Sequence, residues 1–206
     1  MAQRSKSSAR WLREHFNDPY VKQAQEQGYR SRAAFKLKEI LQRDKLFTKG
    51  MRVLDVGAAP GGWTQVISEM IGDAGHIWAV DLLPMDPFPG VEFIQGDLTD
   101  EAVYERLWSA LDHQPVDVLL SDMAPNMSGV ATVDQARMMN LADWVLEICD
   151  QLLKPGGSLV IKLFQGEGYD LYLKQIRQKF NKVLIRKPAA SRKRSNEIYL
   201  IAVNFK

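Results

Sequence analysis

From Arg52 onward the chain alternates short, nearly continuous apolar runs with stretches whose apolar residues recur every three or four positions. The runs VLDVG (53–57), IWAVD (77–81), VEFIQG (91–96), VDVLLSD (116–122), SLVIKLF (158–164), NKVLIR (181–186) and EIYLIAVNF (197–205) predict seven strands. Helical spacing falls near 63–71, 100–111, 133–152 and 169–179, with Lys154-Pro155-Gly156-Gly157 stopping the third. Strands that are apolar almost throughout and alternate with helices predict an α/β fold: a mostly parallel seven-stranded sheet with helices on both faces. Only Pro188 to Asn196 separates the last two strands, too few residues for a crossover helix, so the last strand is expected to run antiparallel.

Ahead of the first strand, Ala34, Leu37 and Leu41 recur at helical spacing within Ser31 to about Arg43, a helix that carries Lys36. Trp11, Leu12 and Phe16 suggest a short amphipathic turn that Pro19 closes, and Met1 to about Arg10 is polar, serine-rich and basic. Residues 1–28 are therefore expected to form a basic, partly disordered arm, and residues 29–206 a single domain.

Composition narrows the class. None of the apolar runs reaches the span of a membrane helix and the start lacks the apolar segment of a signal peptide, which predicts a soluble, cytoplasmic protein. Cys149 is the only cysteine, so an internal disulfide and a multi-cysteine metal site are both excluded; on its helix it reads as core filling. His15, His76 and His113 show no metal-ligand spacing, and no metal is expected. Ser121 and Ser128 lie outside any G-x-S-x-G elbow. Net charge is only +2, but residues 1–50 hold twelve Lys/Arg against five Asp/Glu, residues 51–170 five against nineteen, and residues 171–206 ten against one. Basic ends on an acidic middle suit a polyanion, with nucleic acid the leading candidate. The candidate phosphate contacts are Arg30, Arg32 and Lys38 beside Lys36, then Arg186 and Lys187, then Arg192, Lys193 and Arg194; taken singly, each also reads as an ordinary solvated charge.

The stretch LDVGAAPGGWTQ (54–65) places Gly57, Pro60, Gly61, Gly62 and Trp63 where the first strand meets the next helix. Such a turn brings backbone N–H groups and a helix N-terminus to the rim where open α/β sheets hold ligands. Its spacing is neither that of the dinucleotide fingerprint nor that of a Walker loop. Asp55 lies inside the first strand, Asp81 ends the second beside Leu82, Asp97 follows the third beside Leu98, and Asp122 ends the fourth. Asp81 is placed for a ribose diol, Asp97 for the amino edge of an adenine, and Trp63 to close over the ligand; Asp97 reads equally well as a cap, as do Asp86, Asp100 and Asp112. Four carboxylates would repel a pyrophosphate and welcome a sulfonium nucleoside, so the cofactor expected is S-adenosylmethionine, leaving as S-adenosylhomocysteine.

Lys162 stands inside the apolar strand SLVIKLF, where a lysine needs a partner or a task. Asp122, Glu197 and Lys36 can converge on it from the neighbouring strand, the last strand and the N-terminal helix. Methyl transfer to a ribose 2′-hydroxyl needs that oxygen oriented and relieved of its proton, and Lys162 can serve both ends. Desolvation and Lys36 would favour its neutral form and the carboxylates its charged form; a charged Lys162 would still steer a lone pair and stabilise the developing alkoxide. A buried ion pair that only holds strands together is the alternative.

The stretches RSRAAFKL, LDVGAAPGGW, DLLPMDP, SDMAPNMSG, LKPGGS, KLFQGEG and RKPAASRKRSNEIYL together closely resemble the RrmJ/FtsJ family of S-adenosylmethionine-dependent ribose 2′-O-methyltransferases, in particular its bacterial members acting on large-subunit ribosomal RNA. The resemblance implies a Rossmann-like methyltransferase fold, a Lys-Asp-Lys-Glu tetrad on Lys36, Asp122, Lys162 and Glu197, and a donor site on Gly61, Trp63, Asp81, Asp97 and Asp122. It also implies a heat-induced enzyme that methylates a uridine in the A loop of 23S rRNA within the 50S subunit; nothing in the sequence requires more than a monomer, and no obligate protein partner is expected. Relatives acting on transfer RNA or mRNA caps share the tetrad, so those substrates stay open, as does a non-catalytic RNA-binding assembly factor. A base methyltransferase would want an Asn/Asp-Pro-Pro-Tyr-like site or a cysteine nucleophile, whereas here the fourth strand ends in DMAP and Cys149 sits mid-helix.

Overall fold

The computed structural model describes residues 18–192 and 194–206. Its strands are β1 (Arg52–Val56), β2 (His76–Asp81), β3 (Val91–Gln95), β4 (Val116–Ser121), β5 (Leu153–Phe164), β6 (Phe180–Arg186) and β7 (Glu197–Phe205). The helices are α1 (Pro19–Glu26), α2 (Ala33–Arg43), α3 (Gly62–Ile71), α4 (Glu101–Ala110), α5 (Ala131–Leu152) and α6 (Tyr169–Lys179). One seven-stranded sheet runs in the order β3-β2-β1-β4-β5-β7-β6, with β1 to β5 parallel and β7 antiparallel to both neighbours. The order reverses between β1 and β4, and a crevice opens at such a switch point beyond the strands' carboxyl ends.

Strand parity sorts the residues onto two faces. Val53, Ile77, Val118, Leu120, Val160, Tyr199 and Ile201 pack with Leu37 and Ile40 of α2 and with Trp63, Val66 and Ile67 of α3. Leu54, Val56, Leu119, Leu159, Ile161 and Leu200 face the opposite way, toward Leu107 of α4, Val145 and Cys149 of α5, and Ile176 of α6. Asp55, Asp81, Asp122, Lys162 and Glu197 have the parity of the first set, so every charged candidate of the sheet belongs to the α2/α3 face. The basis is the strict two-residue period of an extended chain.

Two local outcomes depart from expectation. Pro19 does not close a turn but opens α1: the Asp18 side chain accepts from the Tyr20 N–H at 3.0 Å and Pro19, lacking an N–H, fits the first turn, where none is needed. Val21 and Ala24 of that helix are buried, so part of the expected arm is packed structure; Trp11, Leu12 and Phe16 lie outside the described residues. Lys154-Pro155-Gly156-Gly157 does end α5, yet β5 already begins at Leu153, whose partner is Val116; the next pairing is Val118 with Ser158, so the intervening residues form a bulge.

Among the described residues no helix is long and apolar enough to cross a membrane. Cys149 is fully buried in α5 with its thiol pushed up by burial. Leu119, fully buried in the central β4, and Ile185, 42% exposed on the edge strand β6, offer a test of where the stability resides. Leu119→Ala is expected to cost about 2–5 kcal/mol and Ile185→Ala less than about 1 kcal/mol, read as the difference in urea midpoints at constant slope.

Candidate active site

The rim above β1 is built by backbone constraints. Gly57 has φ +77°, and a Cβ there would lie 2.2 Å from the Met123 Cγ. Gly61, at φ +101°, caps α3 in the left-handed region, and the Gly61 N–H donates to the Ala58 carbonyl at 2.7 Å. The Gln65 N–H is the first to reach back into the helix, to the Gly61 carbonyl, so the amides of Gly62, Trp63 and Thr64 head the first turn without intrahelical acceptors. Asp81 fastens two loops to this rim, accepting from the Ala59 N–H at 2.9 Å on Oδ2 and from the Leu83 N–H at 2.8 Å on Oδ1. Leu82 between them is 64% exposed. Asp97 accepts from the amide (2.9 Å) and hydroxyl (2.7 Å) of Thr99, the turn-forming role open to it from sequence, with Leu98 buried beside it.

Asp55 is 1% exposed in β1. Its Oδ2 accepts from the Thr64 hydroxyl at 2.7 Å, and its Oδ1 has no hydrogen-bond partner among the described residues. Burial pushes this carboxyl up to about 7, with Asp122 and Asp81 adding to the rise against the Thr64 bond. Three carboxylates thus converge on the crevice, and the most deeply buried one has a free oxygen.

Trp63 departs from its expected place. It is 2% exposed, its indole N–H donates to the Ala33 carbonyl at 3.0 Å and its ring centroid lies 5.7 Å from that of Tyr199. A side chain expected to close over a ligand is instead wedged between α2 and β7, because the first-turn position of α3 faces the core there; what Trp63 offers the rim is its amide.

Across the crevice the four tetrad residues form two ion pairs on one face. Lys162, 6% exposed, lies 3.1 Å from Asp122 Oδ1 and also donates to the Asp122 carbonyl oxygen. Lys36 of α2 lies 2.6 Å from Glu197 Oε1, both side chains being largely buried. Two residues not singled out from the sequence complete the cluster. The Tyr199 hydroxyl donates to Asp122 Oδ1 at 2.8 Å, and the Ser191 hydroxyl donates to Glu197 Oε1 at 2.8 Å. The signal for Tyr199 was its spacing, two residues beyond Glu197 and hence on the same face; no comparable signal marks Ser191.

The basic candidates divide. Arg32 is ion-paired with Asp18 and donates to the Ala190 carbonyl, and burial lowers its guanidinium below the ordinary arginine value. Arg186 makes two 2.7 Å bonds to Asp44. Arg30 donates to the carbonyls of Asp86 and Pro87 at 2.8 Å and stacks over Phe88, and Lys38 donates to the Tyr29 hydroxyl at 2.7 Å. Lys187 donates to the Ser195 carbonyl at 2.9 Å, Arg192 lies 3.9 Å from Asp18, Arg194 is exposed and Lys193 is outside the described residues. An open groove between α1 and α2 is lined by Tyr20, Phe35, Lys38 and Arg43. Past Asp122, the loop is clasped by Asp134, which accepts from Ser128 N–H (2.6 Å), Ser128 hydroxyl (2.7 Å) and Gly129 N–H (3.2 Å); these bonds hold its carboxyl below the usual range. Among the described residues no group of three or more His, Cys, Asp or Glu could hold a metal ion.

Residues 29–205, which carry the glycine turn, the acidic rim and the lysine-carboxylate cluster, match FtsJ-like methyltransferases. The chain is 57% identical over 201 residues to ribosomal RNA large subunit methyltransferase E of Stenotrophomonas maltophilia, covering 98% of this chain and 96% of that one. It is 56% identical over 203 residues to the enzyme of that name from Pseudomonas aeruginosa, covering 98% of both. Among solved structures, a ribosomal RNA methyltransferase from Plasmodium falciparum superposes with a TM-score of 0.76 at 31% identity, over 86% of this chain and 98% of that one. Aeropyrum pernix fibrillarin in complex with S-adenosyl-L-methionine shares the fold, with a TM-score of 0.54 at 19% identity over 83% of this chain and 73% of that one. The chain belongs to the FtsJ-like methyltransferase family.

The raised Asp55 carboxyl has a consequence for stability. The unfolded carboxyl ionises near 3.8 and the folded one near 7, so the folded state is favoured at low pH and loses that advantage as pH rises between the two values. In the ligand-free protein, Asp55→Asn is expected to remove this loss. Urea denaturation at pH 4, 5.5 and 7 should show the native chain falling relative to the variant by up to about 1.4 kcal/mol per pH unit.

Proposed function

We propose that this protein transfers the methyl group of S-adenosylmethionine to a ribose 2′-oxygen of large-subunit ribosomal RNA, with a uridine of the 23S A loop, presented within the 50S subunit, as its target. The observation that carries this reading is Lys162: a buried ammonium side chain held by Asp122 on the same sheet face as the glycine turn. The residues fit the donor. Asp55 Oδ1 is buried and unpaired beside Asp122 and Asp81, a concentration of negative charge that calls for a cationic ligand. Bound there, S-adenosylmethionine supplies an electrophilic methyl group on a sulfonium. Asp81, whose two oxygens each have one backbone partner, retains lone pairs for a ribose diol. Asp97 and Leu98 would hold the adenine with Leu82, and Gly57, Pro60, Gly61, Gly62 and the Trp63 amide would line the turn beside the amino-acid portion.

Lys162 donates one N–H to the Asp122 carbonyl and stands 3.1 Å from Asp122 Oδ1 as an ion pair. A neutral amine so held keeps one lone pair, which can take the 2′-hydroxyl proton; an ammonium keeps one N–H, which can orient the oxygen and stabilise its developing charge. Lys36 and Glu197 supply a second pair that positions the ribose from the α2 side. The substrate assignment draws on the relatives named ribosomal RNA large subunit methyltransferase E. Of residues 1–28, those ahead of α1 are assigned as a basic RNA-facing arm; with Arg30, Lys38, Lys187, Arg192, Lys193 and Arg194 they would contact phosphate, while Arg32 and Arg186 would act through the loops they brace. The protein is placed in the cytoplasm as a monomer.

Lys162→Ala is expected to bind S-adenosylmethionine within about threefold of the native affinity by calorimetry, and to lose at least about a hundredfold in tritiated-methyl transfer to 50S subunits. Nucleoside mass spectrometry of the native product should find the methyl group on ribose. An unchanged transfer rate in the variant, or a methyl group on the base, defeats the reading.

A further inference from the structure

Tyr199 is fully buried in β7, directly across from Lys162 of β5, and touches three of the groups on which the site depends. Its hydroxyl donates to Asp122 Oδ1 at 2.8 Å, the same oxygen that lies 3.1 Å from the Lys162 ammonium. The Lys36 Nζ stands 5.6 Å from its ring centroid while reaching Glu197 at 2.6 Å, and the Trp63 ring packs against it from α3. A carboxylate held only by a lysine can rotate and trade oxygens; one held by a second, neutral donor on a rigid strand cannot do so without breaking a buried hydrogen bond. Burial, and then the nearby Asp122 and Glu197, hold the phenol well above its ordinary value, so it stays a donor throughout the working range.

We propose that Tyr199 is a positioning residue for methyl transfer, its hydroxyl fixing the rotation of the Asp122 carboxylate against Lys162 while its ring face seats the Lys36 ammonium. It acts through its neighbours and touches neither donor nor acceptor. Sharing Oδ1 also divides the carboxylate's charge: what the phenol takes is withheld from Lys162. The charged groups facing it are Asp122 after β4, Lys162 of β5, Lys36 of α2 with Arg32 just before that helix, and Glu197 of its own strand. Asp55 of β1 acts on it indirectly, through Asp122.

The proposal rests on Lys162 serving the transfer, and the experiment separates the two. Tyr199→Phe keeps the ring, and with it the Lys36 and Trp63 contacts, but removes the hydroxyl. Steady-state methylation of 50S subunits should show kcat lower by about tenfold to a hundredfold, as for loss of one hydrogen bond to a charged group. Affinity for S-adenosylmethionine and KM for the subunit should stay within about threefold. With all of Oδ1 returned to Lys162, which favours its ammonium form, the limb of kcat that rises with pH should move to higher pH. Tyr199→3-fluorotyrosine, which keeps ring and hydroxyl but donates more strongly, should move that limb to lower pH, and it carries the test if Tyr199→Phe loses its circular dichroism. If Lys162→Ala is inactive while neither Tyr199 variant shifts the limb or lowers kcat, Tyr199 is only a packing residue and the proposal falls. If Lys162→Ala transfers methyl normally, it is the reading beneath the proposal that fails.

Discussion

A lysine inside a buried strand must meet its counter-charge on its own side of the sheet, and that requirement organises this molecule. Lys162 projects from β5 onto the α2/α3 face, where Asp122 at the end of the parallel neighbour β4 supplies both a carboxylate and a carbonyl. Register does the rest. β7, paired antiparallel to β5, sets Tyr199 opposite the lysine and Glu197 two residues earlier on the same face, and α2 crosses above with Lys36. Shifting β7 by one residue would turn Tyr199 and Glu197 to the α5 side and leave Lys162 and Lys36 without them. The site is thus a property of strand pairing more than of any loop.

The acidic side of the crevice follows the opposite logic. Asp55, Asp81 and Asp122 gather at one rim, and burial, with the two neighbouring carboxylates adding to it, holds the Asp55 proton to about 7. Buried like charges that persist in a fold are costly unless something external completes them. The lysines are satisfied by ion pairs, whereas Asp55 Oδ1 has no partner among the described residues, and the two sides meet at Asp122.

Much of this could be read in the sequence. Alternating apolar runs gave the seven strands within a residue or two, except that β5 starts earlier because its bulge was hidden in a turn-like Lys-Pro-Gly-Gly. Lys162 stood out because charge inside an apolar strand is rare, and its convergence with Asp122, and of Lys36 with Glu197, is seen in the two ion pairs. What escaped depended on contacts between segments far apart in the chain. Pro19 looks like a stop until Asp18 is seen capping the helix that it opens. Trp63 looks like a lid until α2 is packed over it. Arg32 and Arg186 read as phosphate contacts, yet each has a carboxylate partner, Asp18 or Asp44, that no spacing rule connects to it. Ser191, within a basic loop, gives no local hint that it bonds to Glu197.

The close approach of Gly57 to Met123 links the two halves of the crevice mechanically. Met123 follows Asp122 in the chain, so the turn after β1 and the segment after β4 lean on each other where a Cβ would not fit. Any side chain at position 57 would press on Met123, the residue next to the acid that pairs with the lysine. Glycine at 57 lets the turn ahead of α3 close against the segment that carries Asp122.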